Sequence, residues 1–259
     1  MRQLMTILLI SLLFVGCNDI AEYYVGLKTQ PDISKEDIQP GLNVYGILKS
    51  GPSFDTLNHY FEIQQIKFIW DSFDSICVDQ AEVELTRHPF AGNVEQYTLS
   101  CQQNCAYINE DIVTAPGDCW QYVCDYDTFT VTASCIIPNQ PVVSNVVVSN
   151  ESNSIELSVL SDSTAFMYDV YILSGNDYYI EKKIPTNGVD TEFSISPQWS
   201  VADKPIAIFV FAYDQNLEKY YTTSNTFFKP NAYRPYFTTV DGGFGTFGAV
   251  SSTCLQLGK

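Results

Sequence analysis

Histidine is nearly absent from this chain. Its 259 residues hold two, His59 and His88. Imidazole, the commonest metal ligand and a frequent general base, therefore has almost no place here. Neither histidine stands in a metal-ligand spacing, and His88-Pro89 reads as a turn. Positive charge is also scarce: 13 Lys and Arg face 30 Asp and Glu, a formal net charge of −17. A basic surface is the electrostatic footprint of nucleic-acid binding, so that partner class is excluded. Adsorption to anionic lipid by charge alone is excluded on the same ground. No apolar run reaches the roughly 20 residues that a membrane-spanning helix needs. There is no G-x-S-x-G elbow for a serine nucleophile. No long amphipathic helical period runs anywhere in the chain.

Aromatic residues, by contrast, are plentiful, with 17 Tyr, 16 Phe and 3 Trp. At 46% hydrophobic content the chain can bury a core, and its length suits one or two domains. Tyrosine at this density fits half-buried strand positions with hydrated hydroxyls. The alternative use, an aromatic ligand-binding face, would draw on these tyrosines or on Trp70, Trp120 and Trp199.

The first residues carry the sharpest signal. Arg2 is the only charge before Asp19, and Leu4 to Val15 is apolar except for Thr6 and Ser11. A short positive region followed by about 7–15 apolar residues and a small residue at the cut is an export signal. Phe14-Val15-Gly16-Cys17 resembles the bacterial lipobox, whose cysteine becomes the diacylglyceryl-modified N-terminus. The resemblance implies residues 1–16 as signal peptide, lipidation at Cys17, and residues 17–40 as a polar tether holding Pro31 and Pro40. Several buried acyl chains, at about 0.8 kcal/mol per CH₂, hold a protein stably at a membrane.

Export also sets how the other cysteines read. Cys77, Cys101, Cys105, Cys119, Cys124, Cys135 and Cys254 are disulfide candidates, because an oxidising compartment lets bridges persist. Two or three bridges are expected, with at least one thiol left over and the pairing open. A zinc site from Cys101-x3-Cys105 and Cys119-x4-Cys124 lacks the tight two-residue spacing of a zinc knuckle.

The body reads as all-β. Leu42–Lys49, Tyr60–Trp70, Ala81–Thr86, Val94–Cys101 and Thr128–Cys135 show strand patterns, whereas 101–119 is irregular. Asn139-Gln140-Pro141 marks a boundary. Beyond it, strands are expected at 155–160, 166–173, 178–184, 191–195, 205–213 and 219–223, spaced as in a sandwich. We therefore expect two β-sandwich domains. The first, at 41–138, bears the disulfides; the second, at 141–229, is fibronectin type III or immunoglobulin-like. A glycine-aromatic segment, 230–259, is expected to dock back through tight turns, with Phe244 and Phe247 plugged into the body.

Chemistry is hard to place on this frame. The acidic pairs Asp71/Asp74, Glu82/Glu84 and Glu110/Asp111 fit a solvated face better than the two carboxylates of a glycosidase. Asp214, Asn216 and Glu218, read as a hairpin turn, lack the twelve-residue calcium loop. The expectation is no catalytic residue, no cofactor and no metal.

The C-terminal stretch Asp241-Gly-Gly-Phe-Gly-Thr-Phe-Gly-Ala249 fits the pattern N/D-G-G-x-G-x-F-G-A. With Leu42–Leu48 and Ala81–Leu85 as opening strands, the chain resembles an uncharacterised Bacteroidetes-type outer-membrane lipoprotein family, a domain of unknown function. That family is often encoded near TonB-dependent receptors. The resemblance implies a protein lipid-anchored at the cell outer membrane, with a non-catalytic accessory or binding role beside a receptor. It supplies no catalytic residue. The rival expectation is a cell-surface adhesin or glycan-binding module, and a hydrolase stands behind both.

Overall fold

A computed structural model describes residues 40–52, 59–66, 76–103, 105–149, 154–174, 177–186, 188–196, 205–222 and 238–257. Cys17, the tether up to residue 39, Asp71, Asp74, Trp70 and Trp199 lie outside the described residues. Those described are almost wholly β and belong to one compact unit.

Seven strands come first: β1 (Leu42–Ser50), β2 (Tyr60–Gln65), β3 (Glu82–His88), β4 (Glu95–Gln103), β5 (Ala106–Ile108), β6 (Cys119–Tyr126) and β7 (Phe129–Ile136). Then follow β8 (Val143–Ser149), β9 (Ser154–Val159), β10 (Met167–Ser174), β11 (Asp177–Lys183), β12 (Thr191–Ile195) and β13 (Ala207–Tyr213). One helix, α1 (Gln215–Thr222), precedes the long last strand β14 (Phe244–Gln256).

The first sandwich is a sheet that curls on itself in the order β14-β1-β2-β5-β4-β3-β6-β7. Its last strand returns to its first. Thr132 on β7 exchanges two backbone hydrogen bonds with Asp241, at 2.9 and 2.8 Å, just ahead of β14. Alternation explains the interior. Val83 and Leu85 on β3 and Trp120, Tyr122 and Cys124 on β6 point in, whereas Glu82, Glu84, Gln121 and Asp125 point out. Phe247 of β14 is fully buried, stacked on Phe61 and Tyr122 at centroid distances of 6.4 and 5.2 Å.

The second sandwich faces a three-stranded sheet, β12-β9-β8, against the four strands β11-β10-β13-β14. Ile155, Leu157, Val159, Phe193 and Ile195 meet Tyr168, Val170, Ile172, Ile208, Val210 and Ala212 between the sheets. This three-on-four arrangement is the fibronectin type III-like sandwich expected from the strand rhythm.

Both sandwiches share β14. Its N-terminal part runs parallel to β1, Asn43 opposite Phe244 through Ser50 opposite Ser251. Its C-terminal part runs antiparallel to β13, Tyr213 opposite Val250 through Ala207 opposite Gln256. The glycine-aromatic stretch is therefore a strand rather than a string of turns, although both phenylalanines are buried as expected. The segment between the sandwiches is tied to the same strand. Ser251 Oγ donates to the Asn139 carbonyl, and Thr253 Oγ1 to that of Pro141, each at 2.7 Å.

Two further differences from the sequence reading concern the helix and three strands. Residues 219–222 belong to α1, not to a strand, because Asp214 caps a helix there: Leu217 N–H donates to Asp214 Oδ1 at 2.9 Å. Asp214 and Asn216 are accordingly helix-terminus groups rather than parts of a hairpin turn. Strands also form at β5, β6 and β8, where none was expected. The second expected strand is described only as far as Gln65.

Candidate functional site

In most strands one face is enough to build a core. β1 and β13 are apolar on both. On β13, Ile208, Val210 and Ala212 enter the second core, while Ala207, Phe209, Phe211 and Tyr213 face the other way. On β1, Leu42, Val44 and Leu48 enter the first core, while Tyr45 and Ile47 lie on the outer side. The outer face of the shared sheet thus carries an aromatic layer that neither sandwich interior uses.

Helix α1 packs on that layer. Gly248 allows the approach: a β-carbon there would lie 2.6 Å from Leu217 Cγ and 2.7 Å from Asp214 Oδ1. Tyr45 OH and Tyr221 OH are 2.5 Å apart, which joins the helix to β1. Beside the helix is a recess of about 180 Å³. Tyr171, Phe211, Tyr213 and Tyr221 wall it, and Ile47, Val250 and Lys49 complete it with Ser50, Gly51 and Ser252. The rings hold each other edge-on. Tyr171 and Phe211 lie 5.2 Å apart at 76°, and Tyr213 and Tyr221 lie 5.8 Å apart at 83°. Drug-sized ligands occupy roughly 300–1,000 Å³, so this recess suits one side chain or one sugar ring.

A buried acid stands behind the wall. Asp169 is fully buried on β10, where its Oδ2 accepts from Lys182 Nζ at 2.7 Å and Tyr213 OH at 3.1 Å. Its Oδ1 has no hydrogen-bond partner. Burial raises its pKa, and Lys182 opposes that rise by favouring the carboxylate. Burial, with Asp169 close by, also pushes the Tyr213 phenol well up. Lys182 Nζ lies 5.4 Å from the centre of the Tyr221 ring, within cation–π range. One ammonium thus bridges the acid and the aromatic wall.

The residues singled out in the sequence fall elsewhere. His59 is a structural residue: its Nδ1 accepts from Lys49 N–H at 3.2 Å, and its Nε2 is 3.3 Å from the Ile112 carbonyl. Burial lowers its pKa. His88 ends β3 with Nε2 buried and unpartnered. Trp120 is wholly buried against Tyr97, at 5.6 Å, and presents no surface to a glycan. Glu82, Glu84, Glu110 and Asp111 are exposed. Among the described residues no group of three or more His, Cys, Asp or Glu could hold a metal ion.

The cysteines spread over both sandwiches. Cys124 and Cys135 are buried in the first core, and Cys101 packs against it. Cys119 stands opposite Ile136, and Cys135 opposite Trp120, so these two cysteines project to opposite faces of the β6–β7 pair. Cys254 lies opposite Phe209 in the outer layer of the second sandwich. Cys77 and Cys105 are neighbours, and the Cys77 thiol adds to the rise that burial gives the Cys105 pKa.

No protein-family model matches the chain, and no curated protein matches it. Among solved structures it is similar to the FN1–FN3 domains of chicken CNTN1, at 15% identity and a TM-score of 0.28. That alignment covers 68% of this chain and 61% of that one. It is also similar to a tetra-tandem repeat in the extending region of a large adhesion protein, at 11% identity and a TM-score of 0.24. There 84% of this chain and 49% of the other are covered.

Proposed function

We propose that this chain is an exported protein, lipid-anchored through Cys17 at the outer membrane, with a non-catalytic accessory or binding role beside an integral receptor. The family resemblance of its Asp241–Ala249 stretch supplies the receptor class, a TonB-dependent one. The observation that carries the binding role is the aromatic recess beside α1. Among its described lining residues there are four aromatic rings, one lysine and two serines, but no acid–base pair. Such a site can grip a small group; it has no means in view to activate one.

Two experiments test this. Wild-type protein should sediment with membranes and incorporate labelled palmitate, whereas Cys17→Ala should move to the soluble fraction without label. A variant that stays on the membrane removes the anchor. From detergent-solubilised membranes the wild type should then co-purify with an integral outer-membrane protein, and purification without such a partner removes the accessory role.

A glycan-binding or adhesive module is the second reading, favoured by the size of the recess. On a glycan array, Phe211→Ala should weaken any specific signal roughly tenfold, as the loss of an aromatic anchor does. A featureless wild-type array removes this reading.

A further inference from the structure

The strand β2 changes partner halfway along one edge, and the change brings two cysteines together. Phe61 and Glu62 pair with Tyr107 and Ala106 of β5. At Ile63 the ladder is handed over: its N–H donates to the Cys105 carbonyl at 3.1 Å, and its carbonyl accepts from Val78 N–H at 3.3 Å. From there residues 76–78 take over, with Cys77 opposite Gln64 and Gln65 N–H donating to the Ile76 carbonyl at 2.7 Å. Cys105 therefore ends one segment and Cys77 lies in the next, on the same edge of the same strand.

Their side chains share a face. Residues paired across an antiparallel ladder project to one side, so Cys77 projects with Gln64, which alternation places beside Glu62. Cys105 holds a left-handed backbone, φ 66°, and its thiol lies near both Cys77 and Glu62, each of which adds to the rise in its pKa. Cys101 also lies near enough to Cys77 for its charge to raise the Cys101 pKa, so what separates the candidates is the face they take. Cys101 stands opposite Tyr107 and turns inward with Leu99, and Cys119 and Cys135 face opposite ways.

From this juxtaposition we infer that Cys77 and Cys105 form the disulfide of the first sandwich, closing a loop across the β2 edge. Cys77 is partly exposed and Cys105 is buried, which sets the order of events. The Cys77 thiolate attacks the disulfide of a donor, such as glutathione disulfide or an oxidised dithiol protein, and one donor thiolate leaves. The Cys105 thiolate then attacks the Cys77 sulfur of the mixed disulfide and expels the second donor thiolate. Two protein thiols lose two protons and two electrons, and the donor is reduced to two thiols. Burial raises the Cys105 pKa, so the second step supplies a thiolate the fold disfavours, and the uncharged bridge removes that cost.

The purified full chain, equilibrated in glutathione redox buffers, quenched in acid, alkylated and mapped, decides the matter. The buffer supplies the oxidant, so the outcome does not depend on where the chain resides. The first linked peptide to appear should join Cys77 to Cys105. A first link from Cys77 to Cys101, or complete alkylation of Cys77 in the most oxidising buffer, overturns the inference. Oxidation should raise the melting temperature of the wild type by roughly 5–10 °C, the effect of closing a loop of this length in a protein of this size. Cys101→Ser should keep that rise. A rise that survives in Cys77→Ser also overturns it.

Discussion

Gly245→Ala should destabilise the protein by about 4 kcal/mol or more, enough to exhaust much of the stability of an ordinary domain. Gly245 lies on β14 opposite Val44, with φ +100°, a conformation that L side chains rarely adopt. An added β-carbon would lie 1.9 Å from the Val44 carbonyl oxygen and 2.9 Å from its carbon. These are backbone atoms in the middle of a ladder, so they cannot swing aside as a side-chain tip would. Gly188 is the control. It also has positive φ, +74°, but nothing lies within 4 Å of a β-carbon there. Gly188→Ala should cost only the backbone strain, about 1 kcal/mol. Urea titrations of the two variants check the contrast; equal shifts in midpoint would show that the β1–β14 contact is not what Gly245 serves.

The same substitution reports on how the two sandwiches are joined. β14 carries Phe247 into the first core and packs Leu255 against the second. Separating it from β1 also removes the neighbour of β13 from the second sheet. Trp120 fluorescence, isolated by Trp70→Phe and Trp199→Phe, and strand circular dichroism from both sandwiches should therefore fall in one transition rather than two. A Gly245→Ala protein that loses only one sandwich would contradict a shared strand.

The sequence revealed those parts of this fold in which burial alternates cleanly. β3 switches between polar and apolar from Glu82 to Thr86 and β7 from Phe129 to Cys135, and β13 is apolar throughout because both its faces are covered. β6 alternates in burial too, but the apolar pair Val123-Cys124 breaks the alternation of its sequence, so Trp120 and Tyr122 do not read as one inward face. β8 escaped because Val146, Val147 and Val148 point largely to solvent, the reverse of the burial its valines suggest. β14 escaped because glycine at 245 and 248 lowers strand propensity. Its parallel partner, moreover, lies about two hundred residues away, which no local pattern encodes. For α1 a signal was present: Asp214 followed by Gln215, Leu217 and Glu218 is a capping residue ahead of helix formers. The recess needed the fold itself. Tyr171, Phe211, Tyr213 and Tyr221 come from three elements, and only the registers of β10, β13 and β14 put them on one face.

Asp214 gives the second large effect, and its sign changes the usual view of an N-cap. The carboxylate accepts from Leu217 N–H, and the backbone amides of Ala249 and Asn216 with it favour the charged form. Burial outweighs them and pushes its pKa up to about 7, from an ordinary value of 3.8. Between those two pH values the folded chain binds a proton that the unfolded chain has lost. Stability from this group is therefore complete below about pH 4, falls as pH rises through 7, and is missing above it. Three pH units correspond to about 4 kcal/mol as an upper bound. Asp214→Asn keeps an oxygen for the Leu217 N–H and can never ionise, so it mimics the protonated acid. The variant should match the wild type near pH 4 and exceed it by about 1–3 kcal/mol at pH 8. Asp214→Ala, which removes the cap, should lose about 1 kcal/mol relative to Asp214→Asn at every pH. Glu95 and Asp162, whose pKa values are lowered, add stability above their unfolded values, but they do so in all three proteins and cancel in the difference. Chemical denaturation from pH 4 to 8 reads that difference directly, and parallel curves for wild type and Asp214→Asn would show that Asp214 is charged throughout and that the three amides, not its burial, set its state.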